Sequence, residues 1–244
     1  MCSRFIKMPG KIKNSDIISF SPIRDKADNG RANPNLSFNL RSGSDSRVGW
    51  LYRLPKLPVS VSLIILVICL IIFMLSLINS WLVINYLALI PGLLPERPWT
   101  IITYMFVHVT FDHLFWNMLF LFFFGIELER RLGEWQFLGL YLISGVVAAL
   151  AQIFLFGGGV LLGASGALYG VLGCLAMIAP HLRLLLFFVI PMRIAYAVLL
   201  YALIDFVMMG SADNIAHAAH LAGLFVGLAA GYILRKKPGQ YYSF

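Results

Sequence analysis

The polar residues of this chain that have the right types for chemistry fall in three short segments. Ser165 lies between glycines in the apolar stretch GVLLGASGALYG, with no charged residue near it. His113 and Asn117 lie in HVTFDHLFWN, and His220 lies in AHLAGLFVGL. A serine can act as a nucleophile, an imidazole can take its proton, and N–H donors can stabilise an oxyanion. This set of residue types suits hydrolysis of a peptide bond.

The local spacing is compatible with that chemistry. Asn117 follows His113 by four residues, so on a helix both side chains lie on one face and can donate to one point. Gly163 and Gly166 remove side-chain bulk beside Ser165, and we expect them to leave room for a substrate backbone. A helix that begins at Ser165 presents free backbone N–H groups, which can bind an oxyanion.

The composition indicates where these residues must work. Of the 244 residues, 60% are hydrophobic and only 12% are charged, which is typical of a polytopic membrane protein rather than a soluble domain. The net charge is +8, and eleven Lys or Arg with four Asp lie in the first 57 residues. Basic residues beside membrane helices usually mark the cytoplasmic side. This distribution favours contact with membrane lipid and no binding of nucleic acid.

Apolar runs and their breaks predict an all-α membrane protein with six transmembrane helices. We expect the helices at about 59–78, 110–131, 135–155, 165–180, within 191–209, and at 215–234. Three domains follow. Residues 1–57 form a largely disordered, basic cytoplasmic tail, residues 58–235 form the six-helix domain, and residues 236–244 form a short cytoplasmic tail.

Charge in the connections predicts the orientation. The connections after the second and fourth helices carry arginines, whereas those after the third and fifth carry no base, so we expect both termini to be cytoplasmic. The second, fourth and sixth helices then all begin at the outer side. His113, Asn117, Ser165 and His220 therefore reach one depth from three separate segments.

Glycine spacing predicts how the fourth and sixth helices meet. Gly166 and Gly170 are four residues apart on the fourth helix, and Gly223 and Gly227 are four apart on the sixth. Small residues at this spacing let membrane helices approach closely. His220 lies three residues before Gly223 and shares that face, so close packing would bring it towards the fourth helix.

These segments together resemble the rhomboid family of intramembrane serine proteases, over about residues 99–231. GASG is similar to the family's nucleophile motif and AHLAGLFVGL to its base motif. HVTFDHLFWN has the family's order of a His, a second His five residues later and an Asn four residues after that. ELERRLG, with Glu129 and Gly133, is similar to the turn that ends the second helix. One departure is Trp99-Thr100, where the family often has Trp-Arg.

The resemblance implies a compact six-helix rhomboid-like bundle and a role for each residue. Ser165 would be the nucleophile and His220 the general base of a dyad without an acidic member. The implied oxyanion hole consists of His113, Asn117 and the backbone N–H of Ser165. Supporting residues would be His108, Tyr169, Gly163 and Gly166, and structural residues would be Glu129, Gly223 and Gly227. The resemblance implies no cofactor and no metal.

The implied reaction is the hydrolysis of peptide bonds in or near the transmembrane helices of other membrane proteins. We expect an integral membrane protein of a prokaryotic plasma membrane, with the site open to the outer side. The substrate, the cleavage preference and the oligomeric state are left open.

Several alternatives accompany this interpretation. Asp205 lies at a similar depth and could orient His220, although a hydrogen bond to a neighbouring helix or to water is favoured. His217 with His108 and His113 could form a metal site, but no cysteine or carboxylate pattern completes it. A non-catalytic relative would typically lack the serine or the histidine, and a channel or transporter would carry polar groups through the full depth of the membrane.

Overall fold

The structure is a computed structural model, and it describes residues 59–156, 159–186, 189–209 and 215–235. The predicted tails at 1–57 and 236–244 lie outside the described residues. The described chain is mostly helical.

The first helix, α1, runs over Val61–Ile78. The Ser60 hydroxyl accepts a hydrogen bond from the N–H of Leu63 and so caps its first turn. A short helix α2 follows over Ser80–Leu87, then a 3₁₀ turn at Pro91–Leu93, helix α3 at Thr100–Thr103, and a 3₁₀ turn at Tyr104–Phe106. The prolines of this connection divide it into short pieces, as the sequence predicts.

The second long segment is helical from Phe111 to Leu132 but is not one regular α-helix. Helix α4 covers Phe111–Phe120, a π-helical turn covers Leu121–Gly125, and helix α5 covers Ile126–Leu132. The Thr110 hydroxyl caps α4 by accepting from the N–H of His113. Gly133, at φ +91°, ends α5 in a conformation that favours glycine, and α6 then runs over Glu134–Phe156.

The second half of the domain contains α7 over Ser165–Ile178, α8 over Ile194–Val207 and α9 over His217–Leu234. Between α7 and α8, strands β1 (Arg183–Leu186) and β2 (Ile190–Arg193) form an antiparallel hairpin, in which Arg183 pairs with Arg193. The all-α prediction is wrong for this segment. Pro191 lacks the N–H that a helix needs, and the apolar residues around it pair as strands instead.

Helix α7 lies at the centre of the bundle. Eleven of its residues are buried, and its main neighbours are α9 and α6. By contrast, α1 exposes most of its large apolar side chains, including Ile71 and Leu77, which is expected of a helix that faces lipid. The bundle therefore surrounds the helix that carries Ser165.

Among the described residues, four helical segments are long and apolar enough to cross a membrane: Val61–Ile78, Phe111–Leu132, Glu134–Phe156 and His217–Leu234. Helices α7 and α8 are apolar but shorter, with 14 residues each. At 1.5 Å per residue they span about 21 Å, less than the hydrocarbon core of about 30 Å. The chain is a membrane protein, and the count of six spans stays a prediction.

Candidate active site

Ser165 and His220 lie in direct contact although 55 residues separate them in sequence. Ser165 is the first residue of α7, and its Oγ is 2.8 Å from Nε2 of His220, in the first turn of α9. Both side chains are only partly buried. The two helices thus begin side by side, with Ser165 at the start of α7 and His220 in the first turn of α9.

Glycines account for this close approach of α7 and α9. A Cβ on Gly223 would overlap the carbonyl oxygen of Gly166, and a Cβ on Gly227 would overlap the carbonyl oxygen of Gly170. Backbone therefore lies directly on backbone, as the four-residue spacing predicts. Because Gly223 lies one turn after His220, this packing determines how far His220 is from Ser165.

The Tyr169 ring lies parallel to the imidazole of His220, with ring centroids 4.4 Å apart and planes 10° apart. Tyr169 lies one turn after Ser165 on α7. The stack covers one face of the imidazole and restricts its rotation about χ2. It leaves the ring edge that carries Nε2 directed at the serine.

The other ring nitrogen of His220 contacts a carboxylate. Oδ1 of Asp205, on α8, is 3.0 Å from Nδ1 of His220 and 2.6 Å from Nδ1 of His217. Asp205 is 3% exposed and His217 is 6% exposed. The sequence favours a hydrogen bond between Asp205 and a neighbouring helix or water over an orienting contact with His220. The structure shows that the partners on the neighbouring helix α9 are these two histidines.

His108 supports the backbone just before the serine. Its side chain is fully buried, and Nε2 accepts a hydrogen bond of 3.4 Å from the N–H of Ala164. Burial, with a smaller effect of the neighbouring His113, lowers the pKa of His108 to about 3. The neutral imidazole can therefore act as an acceptor. His108 thus holds the turn from which Ser165 begins α7.

His113 and Asn117 lie on one face of α4, but they have different neighbours. The imidazole of His113 lies against Gly163 and, edge-on at 4.9 Å, against His108. The Asn117 Nδ2 donates to the backbone carbonyl of His113 at 2.7 Å. One of its two amide hydrogens is thereby used within α4, and one remains for another acceptor.

Gly163 and Gly166 both lie against other parts of the protein, and the expectation that they leave room for a substrate stays a prediction. Gly163 has φ +107°, a conformation that favours glycine, and a Cβ there would meet the ring of His113. A Cβ on Gly166 would lie 2.7 Å from the Cβ of Ala148 on α6. Both glycines are needed because parts of the protein itself pack against them.

Glu129 binds the start of α1. Its carboxylate accepts hydrogen bonds from the Ser60 hydroxyl and the N–H groups of Val61 and Ser62, at 2.7–2.8 Å. Free N–H groups and the positive end of the helix dipole favour a carboxylate at this position. The contact ties the end of the Phe111–Leu132 segment to α1.

The first connection is anchored without the arginine that the family often has after Trp99. Trp99 Nε1 donates to the carbonyl of Tyr86 at 2.8 Å, and the Thr103 hydroxyl donates to the carbonyl of Leu87 at 2.8 Å. Arg97 also hydrogen-bonds a backbone carbonyl of this connection, that of Asn85. These bonds fasten α3 to the end of α2.

The metal site considered from the sequence combines His217 with His108 and His113, and the structure groups the histidines differently. His108 and His113 contact each other, whereas His217 lies with Asp205 and His220. In this second group each residue offers a ligand atom, and those atoms lie within 4.8 Å of one another. The carboxylate that the sequence pattern lacks comes from α8, which only the fold brings to the site.

Comparison with known protein families identifies the family to which this chain belongs. The model of the rhomboid domain matches residues 95–237, a range that includes α3 to α9 and each of the polar residues around Ser165. The chain belongs to the rhomboid family.

Several curated proteins share this rhomboid sequence. Rhomboid protein 1, mitochondrial, of Saccharomyces cerevisiae is 37% identical over 146 residues, which is 56% of this chain and 42% of the yeast protein. Rhomboid protease GluP of Bacillus subtilis is 31% identical over 136 residues, 56% of this chain and 26% of that protein. Rhomboid protease GlpG of Haemophilus influenzae is 29% identical over 138 residues, 55% of this chain and 69% of that protein.

The aligned part of this rhomboid chain spans less than half the length of the yeast and Bacillus proteins. The relatives are both mitochondrial and bacterial, since RHOMBOID-like protein 6, mitochondrial, of Arabidopsis thaliana also matches. The comparisons give the expected prokaryotic plasma membrane no support. Location in a membrane agrees with both the family and the apolar helices.

Proposed function

We propose that this rhomboid is an intramembrane serine endopeptidase. Ser165 would be its nucleophile and His220 its general base. The observation that carries the proposal is the 2.8 Å contact between Ser165 Oγ and His220 Nε2 at the start of α7 and α9. Two relatives are named as proteases, GluP and GlpG, and this chain has the pair of residues that such chemistry needs.

In the first step, Ser165 Oγ attacks the carbonyl carbon of the substrate peptide bond. The hydroxyl proton moves to Nε2 of His220, and the electron pair of the carbonyl π bond moves to the oxygen. N–H groups at the start of α7 and the side chains of His113 and Asn117 would stabilise that oxyanion. Asn117 supplies its remaining amide hydrogen.

In the next step, the tetrahedral intermediate collapses and the carbon–nitrogen bond breaks. The departing amine takes the proton from Nε2 of His220, which leaves an ester on Ser165. Water then attacks the ester and passes one proton to His220. The carboxylic acid departs as Ser165 Oγ recovers that proton, so the protein returns to its starting state.

The substrate would be a transmembrane helix of another protein. Side chains of lipid-facing helices here are apolar, so a helix that arrives from the bilayer meets matching surface. Cleavage requires the peptide carbonyl to leave its helical hydrogen bond, which Gly and Pro in the substrate make less costly.

The alternatives are weaker on the same observations. A non-catalytic relative would typically lack the serine or the histidine, and both are present and in contact here. A channel or transporter would carry polar groups through the membrane depth. The polar side chains of α7 and α9 are instead concentrated at their first turns, and the remainder of both helices is almost wholly apolar.

Labelling with a fluorophosphonate probe tests the proposal. The full chain in detergent should be labelled at Ser165, and both Ser165→Ala and His220→Ala should abolish labelling. The same variants should fail to cleave a reporter with one transmembrane helix that contains Gly and Pro. Cleavage that persists in Ser165→Ala would refute the serine mechanism.

A further inference from the structure

Asp205 is the one carboxylate of the described residues in contact with the Ser165–His220 pair. It lies on α8, whereas the serine and histidine lie on α7 and α9, so three helices meet at this point. An ionisable side chain inside an apolar bundle is costly unless it is paired. Its position therefore calls for a reason in function.

The hydrogen-bond geometry determines which ring nitrogen of His220 carries the proton. An ionised carboxylate only accepts hydrogen bonds, so Nδ1 of His220 must donate to Oδ1 of Asp205 across 3.0 Å. In a neutral imidazole the other nitrogen, Nε2, is then an acceptor. That nitrogen faces the Ser165 hydroxyl at 2.8 Å, as a general base must.

His217 gives the same carboxylate a second donor. Its Nδ1 lies 2.6 Å from the same Oδ1, so two N–H groups from α9 converge on one oxygen. Hydrogen bonds to a charged acceptor are shorter and stronger than neutral ones. His217 therefore holds Asp205 in place on the face of α8 that looks towards His220.

We propose that Asp205 is a positioning residue that holds His220 in the tautomer with the proton on Nδ1 and stabilises the imidazolium formed during the reaction. The inference rests on the proposed protease function. Asp205 itself gains no proton; the proton of Ser165 moves to Nε2 of His220 and later to the leaving amine. The site would then work as a Ser–His–Asp triad rather than as the dyad that the resemblance implies.

Other titratable groups also face this cluster. Tyr169 of α7 stacks on His220, Tyr201 of α8 stacks edge-on against Tyr169, and His113 of α4 is close enough to interact electrostatically with His220. None of these carries a negative charge at neutral pH. Of the titratable groups around His220, Asp205 is therefore the one whose negative charge can favour a positive charge on the imidazole.

The experiment compares Asp205→Asn with the wild-type full chain in two measurements. The first is the rate of labelling by a fluorophosphonate probe as a function of probe concentration. The equivalent change in a soluble Ser–His–Asp protease lowers kcat about 10⁴-fold. Because the Tyr169 stack also orients His220 here, we expect the saturating rate to fall about 100-fold with the half-saturating probe concentration unchanged.

The second measurement reads the tautomer directly by NMR of protein labelled with ¹⁵N in the histidine rings. Wild-type His220 should show a proton on Nδ1, and Asp205→Asn should move the population towards the proton on Nε2. The His220→Ala spectrum assigns the signal among the five histidines. This measurement is independent of turnover, so it distinguishes failure of this proposal from failure of the protease function.

Three matched controls accompany the test. Glu96→Gln makes the same change at an exposed carboxylate and should leave both measurements unchanged. His217→Asn should lose less than Asp205→Asn, and Asp205→Glu should recover part of the labelling rate. Chelation with EDTA should have no effect.

Four results would overturn the inference. The first is an NMR spectrum in which wild-type His220 carries its proton on Nε2. The second is a saturating labelling rate of Asp205→Asn within about threefold of the wild-type rate, and the third is a fall in this rate in His217→Asn as large as in Asp205→Asn. The fourth is loss of labelling on chelation with EDTA. The first result applies even if Asp205→Asn does not fold, because it needs only the wild-type chain.

Discussion

The contact between α7 and α9 predicts that a single methyl group added to Gly223 should damage both stability and chemistry. Gly223 lies one turn after His220, and its Cβ would overlap the carbonyl oxygen of Gly166, the residue after Ser165. The overlapping partner is backbone, which cannot move aside as a flexible side chain can. Gly223→Ala must therefore push α9 away from α7.

The size of the effect follows from ordinary contact distances. Atoms in van der Waals contact are about 3.5 Å apart, so relief of the overlap requires a separation of about 1.5 Å. Overpacking of a buried contact typically costs about 1–3 kcal/mol, and we expect Gly223→Ala to fall at the upper end. A displacement of about 1 Å at reacting groups can cost about 100-fold in rate.

Gly139→Ala provides the matched control. Gly139 lies within α6, and a Cβ there has no atom within 4 Å. Alanine in a helix interior is more stable than glycine by about 0.5–1 kcal/mol, so this variant should be at least as stable as wild type and equally active.

Thermal unfolding in detergent and the rate of fluorophosphonate labelling measure the two effects. Gly223→Ala should unfold at a lower temperature and label Ser165 about 100-fold more slowly at temperatures where it remains folded. If Gly223→Ala and Gly139→Ala behaved alike in both assays, the close packing of α7 on α9 could not be what positions His220.

Two further substitutions test other parts of the site. Gly163→Ala should lower the unfolding temperature and the labelling rate together, because the left-handed φ costs about 1–2 kcal/mol and the new Cβ displaces the His113 ring. Glu129→Ala should cost about 3 kcal/mol, measured by thermal unfolding, because buried N–H groups at the start of α1 lose a charged acceptor. Labelling of the folded fraction should be unaffected in Glu129→Ala, and an equal loss of labelling in both variants would contradict this division.

Local patterns in the sequence predicted much of this architecture. The apolar runs located the long helices to within a few residues, because hydropathy and length are properties of each segment alone. The four-residue spacing of Gly223 and Gly227 predicted a helix contact, since that spacing repeats on one helix face. The hairpin at 183–193 was missed because its apolar residues carry no clear period that separates a strand from a helix.

Contacts between segments were harder to predict. The sequence placed Asp205 at the right depth, but whether it faces α9 or lipid depends on how α8 is rotated. It likewise showed that Gly163 and Gly166 lack side chains, but it could not show that the His113 ring and Ala148 occupy the space beside them. Each of these features depends on the neighbouring helix rather than on the local sequence.

The sequence by itself determined that this is a membrane protein, that the candidate serine, histidine and asparagine residues of the site lie in three segments, and that small residues repeat every four positions on two helices. Only the tertiary structure decided that Asp205 contacts both His217 and His220. The physical reason is that hydropathy and residue spacing are properties of one segment. A hydrogen bond of 3.0 Å between α8 and α9 depends instead on how the two helices are rotated and how they cross, and the packing of the whole bundle determines both. The sequence shows the four-residue spacing of Gly223 and Gly227, and the structure shows that Gly223 packs on the carbonyl of Gly166 and so sets the distance between His220 and Ser165.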